Sequence, residues 1–220
     1  MTNRLALFDC DGTLVDSQAN ICLSMEEAFL LGGLEAPSRN AIRRIIGLSV
    51  VEAVAALSPD LGDTRHRALA EDYKAAFFRL RSTGGMTEEP LFDGMLAALD
   101  DLAKAGWLFG VATGKSDRGL ARILAHHGIA DRFVTLQTAD RHPSKPHPSM
   151  IEAAIAEAGA EPLRTAMIGD TSYDIVMALN AGVRAVGVSW GYHPADELVA
   201  AGAHSVALAV ADLPHHLELQ

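Results

Sequence analysis

Asp9 and Asp11 stand where an apolar run, Leu5-Ala6-Leu7-Phe8, gives way to polar residues, and Gly12 and Thr13 follow them. A spacing of two in an extended segment puts both carboxylates on one face and turns Cys10 away. Three further groups sit at comparable places. Thr113-Gly114-Lys115 follows the apolar run 108–112, and Gly169-Asp170 follows 165–168 with Asp174 four residues on. Lys145-Pro146 precedes a helical pattern. Together these groups supply four carboxylates, two lysines and a threonine hydroxyl. Crowded carboxylates repel one another unless a cation neutralises them. Oxygen ligands without His or Cys point to Mg²⁺, which takes one or two carboxylates plus water and phosphate oxygens. Lysine, a hydroxyl and glycine-exposed backbone N–H groups are donors suited to phosphate. The chemistry such parts can run is phosphoryl transfer with an aspartate nucleophile.

These residues can act together only if the fold gathers them. The runs 5–8, 108–112, 165–168 and 185–188, with a weaker one at 133–136, have the length of buried strands and lack the alternation of half-exposed ones. Helical patterns lie between them at 95–105, 116–127, 148–158, 172–181 and 194–201, and Gly106, Gly128, Gly159, Gly182 and Gly202 stand just past their ends. Alternating strand and helix predicts an α/β fold, a parallel sheet with helices on both faces. Ligands of such sheets bind beyond the carboxyl ends of the strands, where all the groups above fall. Residues 16–85 break the pattern with helical stretches at 19–31, 39–57 and 64–81 and no convincing strand. The expected organisation is a core of residues 1–15 and 86–220 and a small all-helical insert, 16–85, lying as a lid over the sheet's end.

The stretch Phe8-Asp9-Cys10-Asp11-Gly12-Thr13-Leu14-Val15-Asp16-Ser17 resembles the first motif of the haloacid dehalogenase-like hydrolase superfamily. Ala112-Thr113-Gly114, Lys145-Pro146 and Gly169-Asp170 with Asp174 resemble its other three motifs, in order, and the likeness covers nearly the whole chain. The resemblance implies a Rossmann-like core with a helical cap domain, and Asp9 as nucleophile forming an aspartyl-phosphate. Asp11 would protonate the leaving oxygen and then deprotonate the attacking water. Thr113, Gly114, Lys145 and Gly12 would bind the phosphoryl group. Mg²⁺ would sit on Asp9, Asp170 and the backbone carbonyl of Asp11, while Asp174 would orient the metal's waters or Lys145. Lys115 is either a helper of substrate or cap or a solvated lysine. Asp11 argues against the dehalogenase and phosphonatase branches. Val50-Val51 follows Gly47-Leu48-Ser49 where the β-phosphoglucomutase-like members carry an arginine, which weakens the mutase alternative, although Arg43 and Arg44 lie nearby. The whole looks most like the phosphoglycolate phosphatase group.

Composition narrows the field further. The chain has 220 residues, 49% hydrophobic and 21% charged, enough for one core domain with an appendage. A net charge of −10 makes nucleic acid and anionic membranes poor partners. Two cysteines leave no disulfide framework or thiolate zinc site. The first residues do not read as a signal peptide and no run reaches membrane-helix length, so a soluble, cytoplasmic protein is expected, as monomer or homodimer. Thr113-Gly114-Lys115-Ser116 imitates the end of a P-loop, but position 109 is Phe where that motif needs glycine. The histidines, His142 and His147 beside Lys145 included, read as structural. So do Trp190 and Tyr192. Aromatics are 5%, which suggests a lid for small polar metabolites with few rings to stack on a base.

Overall fold

The computed structural model describes residues 2–217. Its sheet has six parallel strands: β1 (Asn3–Phe8), β2 (Trp107–Thr113), β3 (Phe133–Thr138), β4 (Ala160–Gly169), β5 (Arg184–Val188) and β6 (Ser205–Ala207). Their order is β3-β2-β1-β4-β5-β6. Helices α1 (Gln18–Leu31), α2 (Arg39–Ile45), α3 (Val50–Leu57) and α4 (Asp63–Ser82) come between β1 and α5 (Met95–Lys104). After them come α6 (Asp117–His126), α7 (Ser149–Ala158), α8 (Ser172–Asn180), α9 (Ala195–Ala200) and α10 (Leu213–Leu217).

Alternation along β1 divides the core. Ala6 and Phe8 pack with Leu99 of α5, Leu120 of α6 and Leu213 of α10. Leu5 and Leu7 pack on the other face with Ile151 of α7, Ile175 of α8 and Leu198 of α9. Both faces are covered, which is why the strands read as unbroken apolar runs. From central β1 the sheet extends to β2 and β3 on one side and to β4, β5 and β6 on the other. The crevice past the carboxyl ends of β1 and β4 is the switch point where such sheets bind ligands.

The helices α1 to α4 bury a separate apolar cluster that includes Met25, Phe29, Ile42, Val54 and Leu69. The chain crosses to and from this layer along two paired segments. Val15 and Leu91 form an antiparallel bridge, Asp16 N donates to Pro90 O at 2.9 Å and Phe92 N to Leu14 O at 3.1 Å.

Two expectations need correction. The single helical stretch at 39–57 is two helices, because Gly47 takes φ +103° and Ser49 restarts the chain as an extended N-cap. A sixth strand, β6, has only three residues, too short to leave a pattern in the sequence. No helix among the described residues is long and apolar enough to cross a membrane.

Candidate active site

Asp9 follows β1 and its backbone N–H donates to Ile168 O of β4 at 2.9 Å, which carries it into the crevice. Asp170 follows β4. Thr171 caps α8, and its N–H and Oγ1 both donate to Asp174 Oδ2, at 3.1 and 2.7 Å. That capping box leaves Asp174 Oδ1 to accept from Lys145 Nζ at 2.6 Å. Lys145 Nζ also lies 2.8 Å from Asp9 Oδ1. Asp174 thus serves as both a helix cap and the lysine's anchor. One carboxylate oxygen from each of Asp9, Asp170 and Asp174 lies within 4.8 Å of the others. Thr13 Oγ1 donates to Asp170 Oδ1 at 2.8 Å, and Gly12 passes so close that a Cβ there would stand 2.2 Å from Asp170 Oδ2.

All of these carboxylates are sealed from solvent, and Lys145 nearly so. Neither oxygen of Asp9 completes a hydrogen bond. Three carboxylates against one ammonium leave two negative charges uncompensated, the complement of one divalent cation. Burial pushes the Asp9 carboxyl up to about 7, and Asp174 and Asp11 add to the rise against the opposing pull of Lys145. Burial, reinforced by Asp174 and Asp9, likewise holds the Asp170 carboxyl well above the usual range. Buried oxygen donors in negative excess, with an unpartnered Asp9 Oδ2 among them, fit a hard divalent cation such as Mg²⁺.

Asp11 belongs to a second group. Its Oδ1 accepts from Ser17 Oγ and pairs with Lys115 Nζ at 2.7 Å, so its carboxylate points away from the Asp9–Asp170–Asp174 set. Lys115, left open by the sequence, is therefore an ion-pair partner; its burial disfavours the charge, but Asp11 and the neighbouring Cys10 and Glu89 together outweigh this and raise the ammonium's pKa. Cys10 points into the core, as its spacing predicts. Thr113 is buried at the end of β2, with Lys115 N donating to its Oγ1 at 3.3 Å. Gly114 meets the turn between α2 and α3, where a Cβ would stand 2.5 Å from Leu48 O and 2.8 Å from Gly47 O. Ser49 N donates to Ser144 Oγ at 2.8 Å and fastens the same turn to the loop bearing Lys145.

A cavity of about 420 Å³ opens beside the buried carboxylates, between the helical layer and the sheet's edge. Asp11, Gly114 and Lys115 form its polar end, and its walls include Met25, Ile45, Val50, Tyr73 and Phe77. The expectation that the lid has few rings to offer is corrected here: Tyr73, Phe77 and Phe78 all line the cavity. These three lie on α4, and the i, i+4 spacing of Tyr73 and Phe77 was the available signal.

Some positioning residues escaped sequence reasoning. Ser17, named only as the last residue of the first motif, holds Asp11. Tyr192 does more than pack, since its N–H donates to Asp170 Oδ2 at 2.9 Å and its hydroxyl accepts from Ser17 N at 3.2 Å. His193 is buried between Ser172 N and Arg44 O, tying α8 to the helical layer. Trp190 donates to Thr13 O at 3.1 Å. His142 stays structural, bonded to Gln137 and Ser149.

The haloacid dehalogenase-like hydrolase family profile matches residues 6–188, from within β1 to the end of β5. The chain belongs to the haloacid dehalogenase-like hydrolase family. Within that family it is similar to probable phosphatase IndB of Dickeya dadantii, with 36% identity over 202 residues that cover 90% of this chain and 86% of that one. It is similar also to the phosphoglycolate phosphatase of Vibrio vulnificus, with 28% identity over 96% of this chain and 94% of the relative. A predicted phosphatase from Clostridium acetobutylicum superposes on it with a TM-score of 0.86 at 25% identity, covering 97% of each chain. The stretch matched to the hydrolase family contains Asp9, Asp11, Thr113, Lys145, Asp170 and Asp174, while Tyr192 lies beyond it.

Proposed function

We propose that the chain is a Mg²⁺-dependent phosphatase that hydrolyses a small phosphorylated compound through an aspartyl-phosphate on Asp9. The observation that carries this reading is the sealed group of Asp9, Asp170, Asp174 and Lys145, in which Asp9 Oδ2 has no partner. Asp9, Asp170 and the backbone carbonyl of Asp11 would hold Mg²⁺, which when bound neutralises the carboxylates and the phosphoryl oxygens they face. Asp174 serves Lys145.

In the first step an Asp9 oxygen bonds to phosphorus while the bond from phosphorus to the ester oxygen breaks. Asp11 gives its proton to that leaving oxygen. Thr113 Oγ1, Lys145 Nζ and the backbone N–H of Gly114 hold the phosphoryl oxygens, while Gly12, whose own N–H donates to Val15 O at 2.9 Å, gives the chain room to pass Asp170. In the second step Asp11 takes a proton from water, the water oxygen bonds to phosphorus, and inorganic phosphate leaves Asp9 free. In this reading residues 1–15 and 86–220 are the catalytic core and 16–85 the cap. Because the carboxylates are sealed, substrate entry requires the α2–α3 turn to lift from Gly114.

A mutase needs a group for a second phosphate. Val50 and Val51, where the mutase-like members carry an arginine, line the cavity, and Arg44 is taken by Glu197 at 2.5 Å. These placements favour hydrolysis. Free, buried Cys10 and Cys22 suit a reducing, cytoplasmic setting.

Phosphate release from a panel of phosphomonoesters, with Mg²⁺ or with EDTA, tests the proposal. Release that depends on Mg²⁺ and falls by roughly 10⁴-fold in Asp9→Asn is expected. No release from any ester, or full activity in Asp9→Asn, sinks it.

A further inference from the structure

Resting on the phosphatase reading, we propose that the substrate's leaving group is an uncharged, apolar alcohol at least the size of one aromatic ring, seated against α1 and α4. The direction follows from the acid. Asp11 must reach the leaving oxygen, and Asp11, unlike Asp9, lines the cavity. A substrate with its phosphorus at Asp9 therefore projects its alcohol past Asp11 into that space.

Size and chemistry follow from the walls. A volume of about 420 Å³ lies in the range of pockets that hold drug-sized organic ligands, so one ring is the least that would begin to fill it. A two-carbon hydroxy acid would leave most of it unfilled, with Met25, Ile45, Tyr73 and Phe77 against water. Tyr73 and Phe77 lie 5.9 Å apart and tilted by 43°, presenting a continuous aromatic wall. Charge points the same way. Lys115 is already taken by Asp11 at 2.7 Å, and Arg81 pairs with Glu89 at 3.0 Å and lies 4.9 Å over the Phe77 ring, with its Nε left without a hydrogen-bond partner. Glu89 is buried and its Oε1 has no hydrogen-bond partner, so a carboxylate on the leaving group would meet a like charge along with apolar surface. The cations that remain on the lining are exposed: Arg118, stacked 5.1 Å over Phe78, and Arg122 stand at the mouth, and Lys74 pairs with Glu71. They suit attraction of the phosphate during entry.

The test compares kcat/KM for benzyl phosphate and phosphoglycolate in the presence of Mg²⁺. Titration calorimetry with the unhydrolysable benzylphosphonate and phosphonoacetate runs beside it. Benzyl phosphate should be favoured by at least about tenfold, the discrimination a few apolar groups can supply, and the preference should narrow in Phe77→Ser. Benzylphosphonate should bind more tightly than phosphonoacetate, a readout that survives if the variant fails to fold. Equal or better use of phosphoglycolate overturns the inference and leaves the phosphatase reading intact. Tighter benzylphosphonate binding with no ester hydrolysed upholds the cavity's selectivity and overturns the phosphatase reading. No hydrolysis and no binding preference overturns both.

Discussion

The carboxyl edge of the sheet and the inner face of the helical layer meet at Asp11, and they are built on opposite terms. At the edge, Asp9, Asp170, Asp174 and Lys145 are buried charges held by strand ends, a helix cap and one another. Taking a charge out of water costs several kcal/mol unless a partner compensates it, so each member of the edge constrains the rest. Across Asp11 the walls are apolar side chains around open space, each making its own dispersion contacts. A change there alters fit without orphaning a charge. In the proposed reading the difference separates two properties of the molecule: the reaction belongs to the edge, and the choice of what reacts belongs to the helices.

Substitutions can break that division or sharpen it. The largest effect is expected at the meeting point. Asp11→Asn keeps the side chain's shape but removes its proton, and steady-state phosphate release should fall by about 10²–10⁴-fold. Unchanged turnover would strip Asp11 of its acid/base role. Next comes Lys145→Met, which leaves Asp9 and Asp174 buried without their cation. Urea unfolding in EDTA should register a loss of about 3–5 kcal/mol, with part restored by Mg²⁺. A loss of only about 0–1 kcal/mol, typical of an exposed pair, would contradict the edge's interdependence. Gly114→Ala drives a methyl into Leu48 O and should lower kcat/KM by roughly 10–10²-fold with little change in melting temperature. An unaffected kcat/KM would mean that the α2–α3 turn has no part in the reaction.

The smallest effect concerns acid sensitivity. Burial, with Arg141 next, lowers the pKa of His142, which braces the loop carrying Lys145. Below about pH 6.5 the unfolded chain takes up a proton at this imidazole that the folded protein resists, so stability falls as pH drops through that window. His142→Gln should flatten that part of a pH series of urea midpoints. An unchanged series would show that the brace contributes nothing there.

The edge was legible in the sequence because each of its parts is local. An apolar run ending in aspartate announces a strand end, whatever the rest of the chain does. Asp174 was legible as a residue but not as a contact: only the Thr171 capping box decides that one oxygen caps the helix and the other meets Lys145. Lys115 stayed open for the same reason, since its partner lies across two strand ends. The cavity was misread because its walls come from α1, α4, α6 and the turn after α2, and no local pattern says which faces converge. Gly47 was a sufficient warning that 39–57 could not be one helix. Three-residue β6 gave none.

One feature of the crossings has a mechanical consequence. Because Val15 pairs with Leu91, and Asp16 and Phe92 bond across to Pro90 and Leu14, the outgoing and returning segments act as one strap. The helical layer is hung on a single axle instead of two slack cords. Any swing must turn about that axle, since twisting or sliding would tear the ladder that joins the segments. In the proposed opening, a swing about that axle would return Leu48 to the same spot over Gly114, so the chamber would re-form by registration with no search.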